Sequence, residues 1–157
     1  MDLTWINVVD SAVKIGLGAI ISAASGYVIF VKTKSYEEEK EAKARFYLLQ
    51  DEKKSKYVEF LSQSQELIQS HLFTASKPDS EGYKGYMRTF NQVQIISNDD
   101  IRLAAYNVMS DVTAFIFLRK NDQEVEIIDS MVKPAREKVS FFQKIAQTEV
   151  TKNYEKT

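Results

Sequence analysis

An uncharged apolar segment near the amino terminus places the strongest constraint on how this chain can fold. Residues 15–31, IGLGAIISAASGYVIFV, contain no charged side chain over 17 positions, and Lys32 and Lys34 follow directly. A helix rises 1.5 Å per residue, so roughly 20 apolar residues cross the hydrocarbon core of a bilayer. The apolar residues that precede Lys14 can extend the segment. It therefore predicts a single transmembrane helix.

Two alternatives to a membrane helix are a cleaved signal peptide and a buried core helix. A signal peptide begins with a basic region, whereas Asp2 and Asp10 precede the span and Lys14 is the one basic residue there. Small residues at 22–25 could form a cleavage site, but the apolar run resumes after them. A core helix would find little to pack against in so polar a chain. Residues 1–31 are therefore predicted to be an uncleaved transmembrane anchor.

The distribution of lysine and arginine predicts the orientation of this anchor. Basic residues crowd the carboxyl-terminal flank, where they are Lys32, Lys34, Lys40, Lys43 and Arg45. Cytoplasmic flanks carry the excess of basic residues. We therefore expect a single-pass protein of the bacterial inner (cytoplasmic) membrane, with its amino terminus outside and its remaining residues in the cytoplasm.

Small residues recur every four positions along the predicted span, at Gly18, Ser22 and Gly26. Such a stripe lets two membrane helices approach closely, so it is a candidate surface for a homo-oligomer within the lipid bilayer. Glycine is also common in membrane helices without any such role, and the residues themselves leave both interpretations open.

The overall charge of the chain argues against nucleic acid as a partner. Once Asp2, Asp10 and Lys14 are set aside, 20 basic and 20 acidic residues remain, whereas nucleic-acid-binding proteins usually present a basic excess. The chain has no cysteine, so disulfide and thiol chemistry are excluded.

Scarce helix breakers and helical periodicity predict an all-α fold after the span. Neither glycine nor proline occurs between Gly26 and Pro78, so the membrane helix can continue into a charged helical stalk at 32–56. Residues 57–151 have the apolar spacing of an antiparallel bundle of about four helices, and 152–157 form a frayed tail. The helices after the loop at 76–82 are predicted at 83–96, 98–118 and 123–151. Ser97 is the expected N-cap of the second of these, and a bend is expected near Met131–Pro134 of the last.

No motif for catalysis, cofactor binding or metal binding stands out. His71 is the single histidine, and zinc sites are built mainly from histidine and cysteine. The acidic pair Asp99 and Asp100 lies where a helix begins, so helix capping explains it. We therefore predict no enzymatic activity, no cofactor and no metal.

Two short motifs resemble those of small uncharacterised bacterial single-pass membrane proteins. The first is Lys54-x-Lys56-Tyr57-x-x-Phe60-Leu61; the second is Ile95-Ile96-Ser97 followed by Ile101-x-x-Ala104-Ala105. The resemblance implies an amino-terminal membrane helix, a charged stalk and a cytosolic helical bundle, and it implies no activity.

Two functions fit these observations. The first is a membrane-tethered interaction or scaffold module, with a partner surface expected around Tyr83, Tyr86 and Met87. The second is a small self-assembling membrane effector, of the toxin, holin or phage-defence kind, that changes permeability through its span. The polar residues available to line a pore are Asp10, Ser11, Lys14, Ser22 and Ser25.

Overall fold

The computed structural model of this chain describes residues 3–120 and 125–155, and within these ranges it describes side chains from residue 22 onward. The described residues form four α-helices and no strand, which confirms the all-α prediction. The helices are α1 (Leu3–Ser70), α2 (Glu81–Ile96), α3 (Asp99–Phe117) and α4 (Val125–Val150).

Helix α1 is long because its sequence offers nothing to stop it before Ser70. No glycine or proline follows Gly26 until Pro78. At its end, the backbone N–H of His71 donates to the carbonyl of Leu67 at 3.2 Å, and Nδ1 of His71 lies 3.0 Å from the same oxygen. His71 therefore satisfies a carbonyl at the helix end, where backbone acceptors lack helical partners.

The chain divides into two compact units, one extending to Arg45 and one comprising Phe46–Glu155. In the first unit, the described side chains from Ser22 to Glu38 are exposed, and Lys34 and Glu38 form an ion pair at 4.0 Å. Among residues 22–120 and 125–155, no helix is long and apolar enough to cross a membrane. Residues 15–21 of the predicted span lie outside the described side chains.

The Phe46–Glu155 unit is a four-helix bundle in which sequential helices run antiparallel. Phe60 of α1 stacks on Tyr86 of α2. Tyr57, which precedes Phe60 on α1, instead contacts Ser97 at the carboxyl end of α2 through its hydroxyl. Helices α3 and α4 are joined by Lys138 with Asp111 and by Asn98 with Glu149. Rings of Tyr57 and Phe60 also contact Phe142, which places α4 beside α1 and closes the bundle.

The core is rich in aromatic residues where α1, α2 and α4 meet, and α3 adds two alanines beside its larger buried residues. Ala104 and Ala105 of α3 are both buried, and small residues of this kind let neighbouring helices pack closely. The largest buried side chains are Tyr57, Tyr86, Phe60, Phe115, Phe142, Ile68, Ile101 and Ile116.

One local prediction differs from the structure. Asn98, rather than Ser97, is the N-cap of α3, since its Oδ1 accepts from the backbone N–H of Ile101 at 3.0 Å. Ser97 instead ends α2, and its Oγ lies 2.9 Å from the Tyr57 hydroxyl. Helix α4 continues through Pro134, so the proline does not split it; the bend near that residue stays a prediction.

Candidate functional site

An open groove of about 410 Å³ lies between α3 and α4. Leu103 and Phe141 stand at its rims with 63% and 58% of their surfaces exposed, whereas Ile101 and Ala104 at its floor are buried. The remaining lining residues are Asn98, Asp100, Asn107, Ile145, Thr148, Glu149 and Lys152. Burial of large exposed apolar side chains is a main source of binding free energy, so this groove is a candidate contact surface.

Beyond Arg102, the exposed residues of α3 are uncharged, whereas Asp100 near the start of the helix is exposed and lines the groove. The exposed residues that follow Arg102 on α3 are Leu103, Tyr106, Asn107, Ser110 and Ala114. Asp111 is the single acid in this part of the helix, and its Oδ2 lies 2.7 Å from Nζ of Lys138. Because 27% of the chain is charged, an exposed helix face without free charge favours a protein contact surface over a solvated one.

A cluster of side chains that are hydrogen-bonded to the carboxylate of Glu149 closes one end of the groove. Glu149 is 7% exposed, and its two oxygens accept from Nζ of Lys53 at 2.7 Å, from Nζ of Lys152 at 2.7 Å and from Nδ2 of Asn98 at 3.1 Å. Since Asn98 also caps α3, the cluster connects α1, the start of α3 and the end of α4.

The electrostatics of the cluster favour the ionised form of Glu149. Burial alone would raise the pKa of this carboxyl, but the hydrogen bonds and charges of Lys152 and Lys53 outweigh it and lower the pKa below the ordinary value. The hydrogen bond and charge of Glu149 in turn raise the pKa of Lys152. A buried carboxylate is tolerated only when it is paired and hydrogen-bonded, and Glu149 meets both conditions.

The sequence contained one signal for this cluster. Glu149 follows Phe142 and Ala146 at the spacing that buries one stripe of α4, so an acid occupies a core position. Its partner Lys53 lies in the segment predicted to be a solvated stalk, and it is 96 residues away along the chain.

A second groove, of about 650 Å³, lies between α1 and α4 but is polar. Its floor includes Ile68 and Val139, and its walls carry hydroxyl, amide and charged groups. These wall residues are Ser62, Gln65, Glu66, Gln69, Arg136, Ser140 and Gln143. Water satisfies such groups well, so this groove offers a partner less apolar surface to bury than the α3–α4 groove does.

The partner surface predicted from the sequence includes a residue that a partner cannot reach. Tyr86 is fully buried: its ring stacks on Phe60 with centroids 5.2 Å apart, and Oγ of Ser64 donates to its hydroxyl at 3.3 Å. Burial raises the pKa of Tyr86. Tyr83 and Met87 are partly buried and pack against the core. The prediction that Tyr86 is exposed is therefore wrong, because the apolar face of α2 packs against the core of the bundle.

The small-residue stripe of the predicted span is described in part. Gly18 lies outside the described side chains, whereas Ser22 and Gly26 are exposed. A Cβ added at Gly26 would meet nothing within 4 Å, so packing within this chain does not require a glycine there.

A buried lysine, which the sequence did not single out, lies just beyond α3. Lys120 is 6% exposed; its ammonium donates to the carbonyl of Phe115 and lies 4.3 Å from the centroid of that ring. Burial lowers its pKa. A cation at a helix carboxyl end stabilises the last carbonyls, so this lysine acts as a helix cap. Among residues 22–120 and 125–155, no group of three or more metal-ligating side chains could hold a metal ion.

Comparisons with known proteins yield no relative for this chain. Its sequence matches no family model, and no curated protein and no solved structure is significantly similar to it.

Proposed function

We propose that this chain is a membrane-tethered helical module that binds another protein and carries no catalytic activity. The observation that carries the proposal is the groove between α3 and α4, where Leu103 and Phe141 expose apolar surface and the exposed residues of α3 beyond Arg102 are uncharged. Exposed aromatic and aliphatic side chains around a shallow groove are typical anchors of protein–protein contacts.

A photo-crosslinking experiment in cells tests this contact surface. Phe141 and Phe73 are both exposed phenylalanines, at 58% and 81%, but only Phe141 lines the groove. Each is replaced in turn by p-benzoylphenylalanine, which retains an aromatic ring at the site. We expect protein adducts from position 141 and few from position 73. Equal yields at both positions, or none at 141, would refute the contact surface.

The tether is the second part of the proposal. It is supported by the uncharged run at 15–31 and its basic flank, and by the helical backbone of α1 that extends through this run. Because the chain has no cysteine, single cysteines at Asn7 and Lys77 can be labelled without background. A membrane-impermeant maleimide on intact cells should label position 7 and spare position 77 until lysis. Release of the protein by alkaline carbonate would contradict the tether.

A second candidate function is the self-assembling membrane effector. The observation that favours it is the open space beside Gly26, which leaves this face of α1 free for another helix. Leucine at both Gly18 and Gly26 should then abolish higher oligomers in lipid nanodiscs and any leakage of dye from liposomes. If the double variant leaks as the wild type does, assembly through this stripe is refuted.

A further inference from the structure

The residues that follow α4 return to α1. At the end of α4, the backbone N–H of Lys152 donates to the carbonyl of Glu149 at 3.4 Å. Two residues later, the ring of Tyr154 packs edge-on against the ring of Phe46 of α1, with centroids 5.8 Å apart. Both rings are partly shielded from solvent. Residues 151–155 therefore form a short non-helical segment, here called the strap, that contacts α1.

Two contacts define the course of the chain over α1. Lys53 meets Glu149 at 2.7 Å, and Phe46 meets Tyr154. Lys53 and Phe46 are about two helical turns, or roughly 10 Å, apart on one stripe of α1. Gln50 lies between them on the same stripe and is 6% exposed. The chain that joins Glu149 to Tyr154 therefore passes over Gln50.

Closure of the strap leaves one polar atom of Gln50 without a partner. Among the described residues, Oε1 of Gln50 is buried and makes no hydrogen bond. A buried acceptor that lacks a hydrogen bond costs free energy, which contact with water would recover. The amide of Gln50 therefore favours an open strap, whereas the packing of Phe46 on Tyr154 favours a closed one.

The contacts that hold the strap are weak. Lys152 pairs with Glu149 at 2.7 Å, but the side chain of Lys152 is 56% exposed, and exposed ion pairs contribute little to stability. The ring pair of Phe46 and Tyr154 adds a modest contribution. Because these contacts oppose an unsatisfied acceptor, the segment can open locally while the bundle stays folded.

We propose that residues 151–155 are a reversible strap on α1. The closed strap shields Phe46 and Gln50, and its opening uncovers both residues. Tyr47 and Leu48, which adjoin Phe46 on the chain, are already 41% and 71% exposed, so the open form presents a larger apolar surface on α1. The strap thus regulates access to this part of α1, and it does not depend on the function proposed above.

Cysteine labelling of the full-length protein in mild detergent tests the strap, because the chain has no cysteine of its own. In a Gln50→Cys background, the rate of reaction with a soluble maleimide is compared between strap variants. Tyr154→Ser removes the ring from the strap and should raise this rate by about threefold to tenfold, the equivalent of one aromatic pair. Tyr154→Phe retains the ring and should leave the rate unchanged.

Two control positions distinguish opening of the strap from unfolding of the bundle. Leu48 is exposed, and Ser64 is fully buried in the bundle. The thiol of Leu48→Cys should react rapidly in every strap variant, and that of Ser64→Cys should stay protected. The proposal is overturned if Tyr154→Ser leaves the rate at position 50 unchanged. It is also overturned if that variant exposes position 64 as much as position 50.

The unsatisfied amide supplies an independent test. Cleavage by trypsin after Lys152 requires an open strap, so its rate follows the open population, and intact-mass spectrometry measures it. Gln50→Leu removes the unsatisfied acceptor and should slow this cleavage by at least about threefold. The matched control is Gln63→Leu, since Oε1 of Gln63 is also buried without a hydrogen bond in the described part of the chain, but away from the strap. Unchanged or faster cleavage in Gln50→Leu, or equal slowing in both variants, would overturn the role of Gln50.

Discussion

Replacing Glu149 by glutamine should destabilise the bundle by about 3 kcal/mol. The substitution preserves size but removes the charge that Lys53 meets at 2.7 Å, and the side chains of Lys53 and Glu149 are only 12% and 8% exposed. Removing one partner from a buried ion pair costs roughly 3–5 kcal/mol, because the other charge stays buried without compensation. We expect the lower end, since Lys152 is 56% exposed and can return to water.

The free energy of unfolding can be measured by urea denaturation of the full-length protein in mild detergent, followed by far-ultraviolet circular dichroism. Trp5 is the single tryptophan and precedes the bundle, so tryptophan fluorescence would not report on this unit. The matched control is Lys152→Gln. This substitution removes the second lysine that pairs with Glu149, but that lysine is exposed. The loss in the free energy of unfolding should therefore not exceed about 1 kcal/mol.

A double variant distinguishes an uncompensated charge from a loss of packing. Lys53→Met with Glu149→Leu replaces both charges by apolar groups of similar size, and such replacements are often neutral or stabilising. The double variant should therefore be more stable than Glu149→Gln. The reasoning is refuted if Glu149→Gln costs less than about 1 kcal/mol, or if the double variant is no more stable than the single one.

The same cluster predicts how stability depends on pH. The pKa of Glu149 is lower in the folded protein than its ordinary value. As the pH falls, this carboxyl is therefore protonated in the unfolded chain at a higher pH than in the folded protein. The stabilisation is therefore complete above the unfolded carboxyl pKa of about 4.3 and is lost as the pH falls through the lower folded value. The free energy of unfolding is measured by urea titration at several pH values for the wild type and for Glu149→Gln. The part of the acid-induced loss of stability that comes from Glu149 should be absent in the variant.

Three further substitutions test other parts of the bundle by the same urea titration. Phe60→Ala should cost about 3–5 kcal/mol, because this ring is fully buried against Tyr86 and Phe142; a cost below about 1 kcal/mol would contradict the core described above. Asn98→Ala should cost about 1–2 kcal/mol, since it removes the N-cap of α3 and a donor to Glu149; no loss would refute both roles. Lys120→Met should change stability by less than about 1 kcal/mol near neutral pH, because the lost bond to the Phe115 carbonyl is offset by relief of a buried charge; a loss above about 2 kcal/mol would show that the cap dominates.

Helix content and most helix ends could be predicted from the residues alone. The absence of glycine and proline after Gly26 predicts a helix that runs past the apolar segment, and α1 indeed continues to Ser70. Apolar spacing likewise predicts α3 and α4 within a few residues of their observed ends. These features are local, because hydrogen bonds between residues four apart and helix-breaking residues decide where a helix can exist.

The cap of α3 shows where local rules leave a choice open. Ser97 and Asn98 are neighbours, and both residue types are good N-caps. The choice depends on Tyr57, whose hydroxyl lies 2.9 Å from the Ser97 side chain, and on Glu149, which accepts from the Asn98 amide. Both partners are distant in sequence, so local pattern alone could not distinguish the two residues.

The sequence by itself determined that this chain is helical and that one helix continues from the apolar run into the charged segment. It also determined which stripes of the later helices are apolar. Only the tertiary structure decided which stripes face one another. It buried Tyr86 against Phe60, paired Lys53 with Glu149, and left Leu103 and Phe141 exposed along the groove. The physical reason is that periodicity assigns a residue to a face of its own helix, whereas the partner of that face depends on how the helices pack.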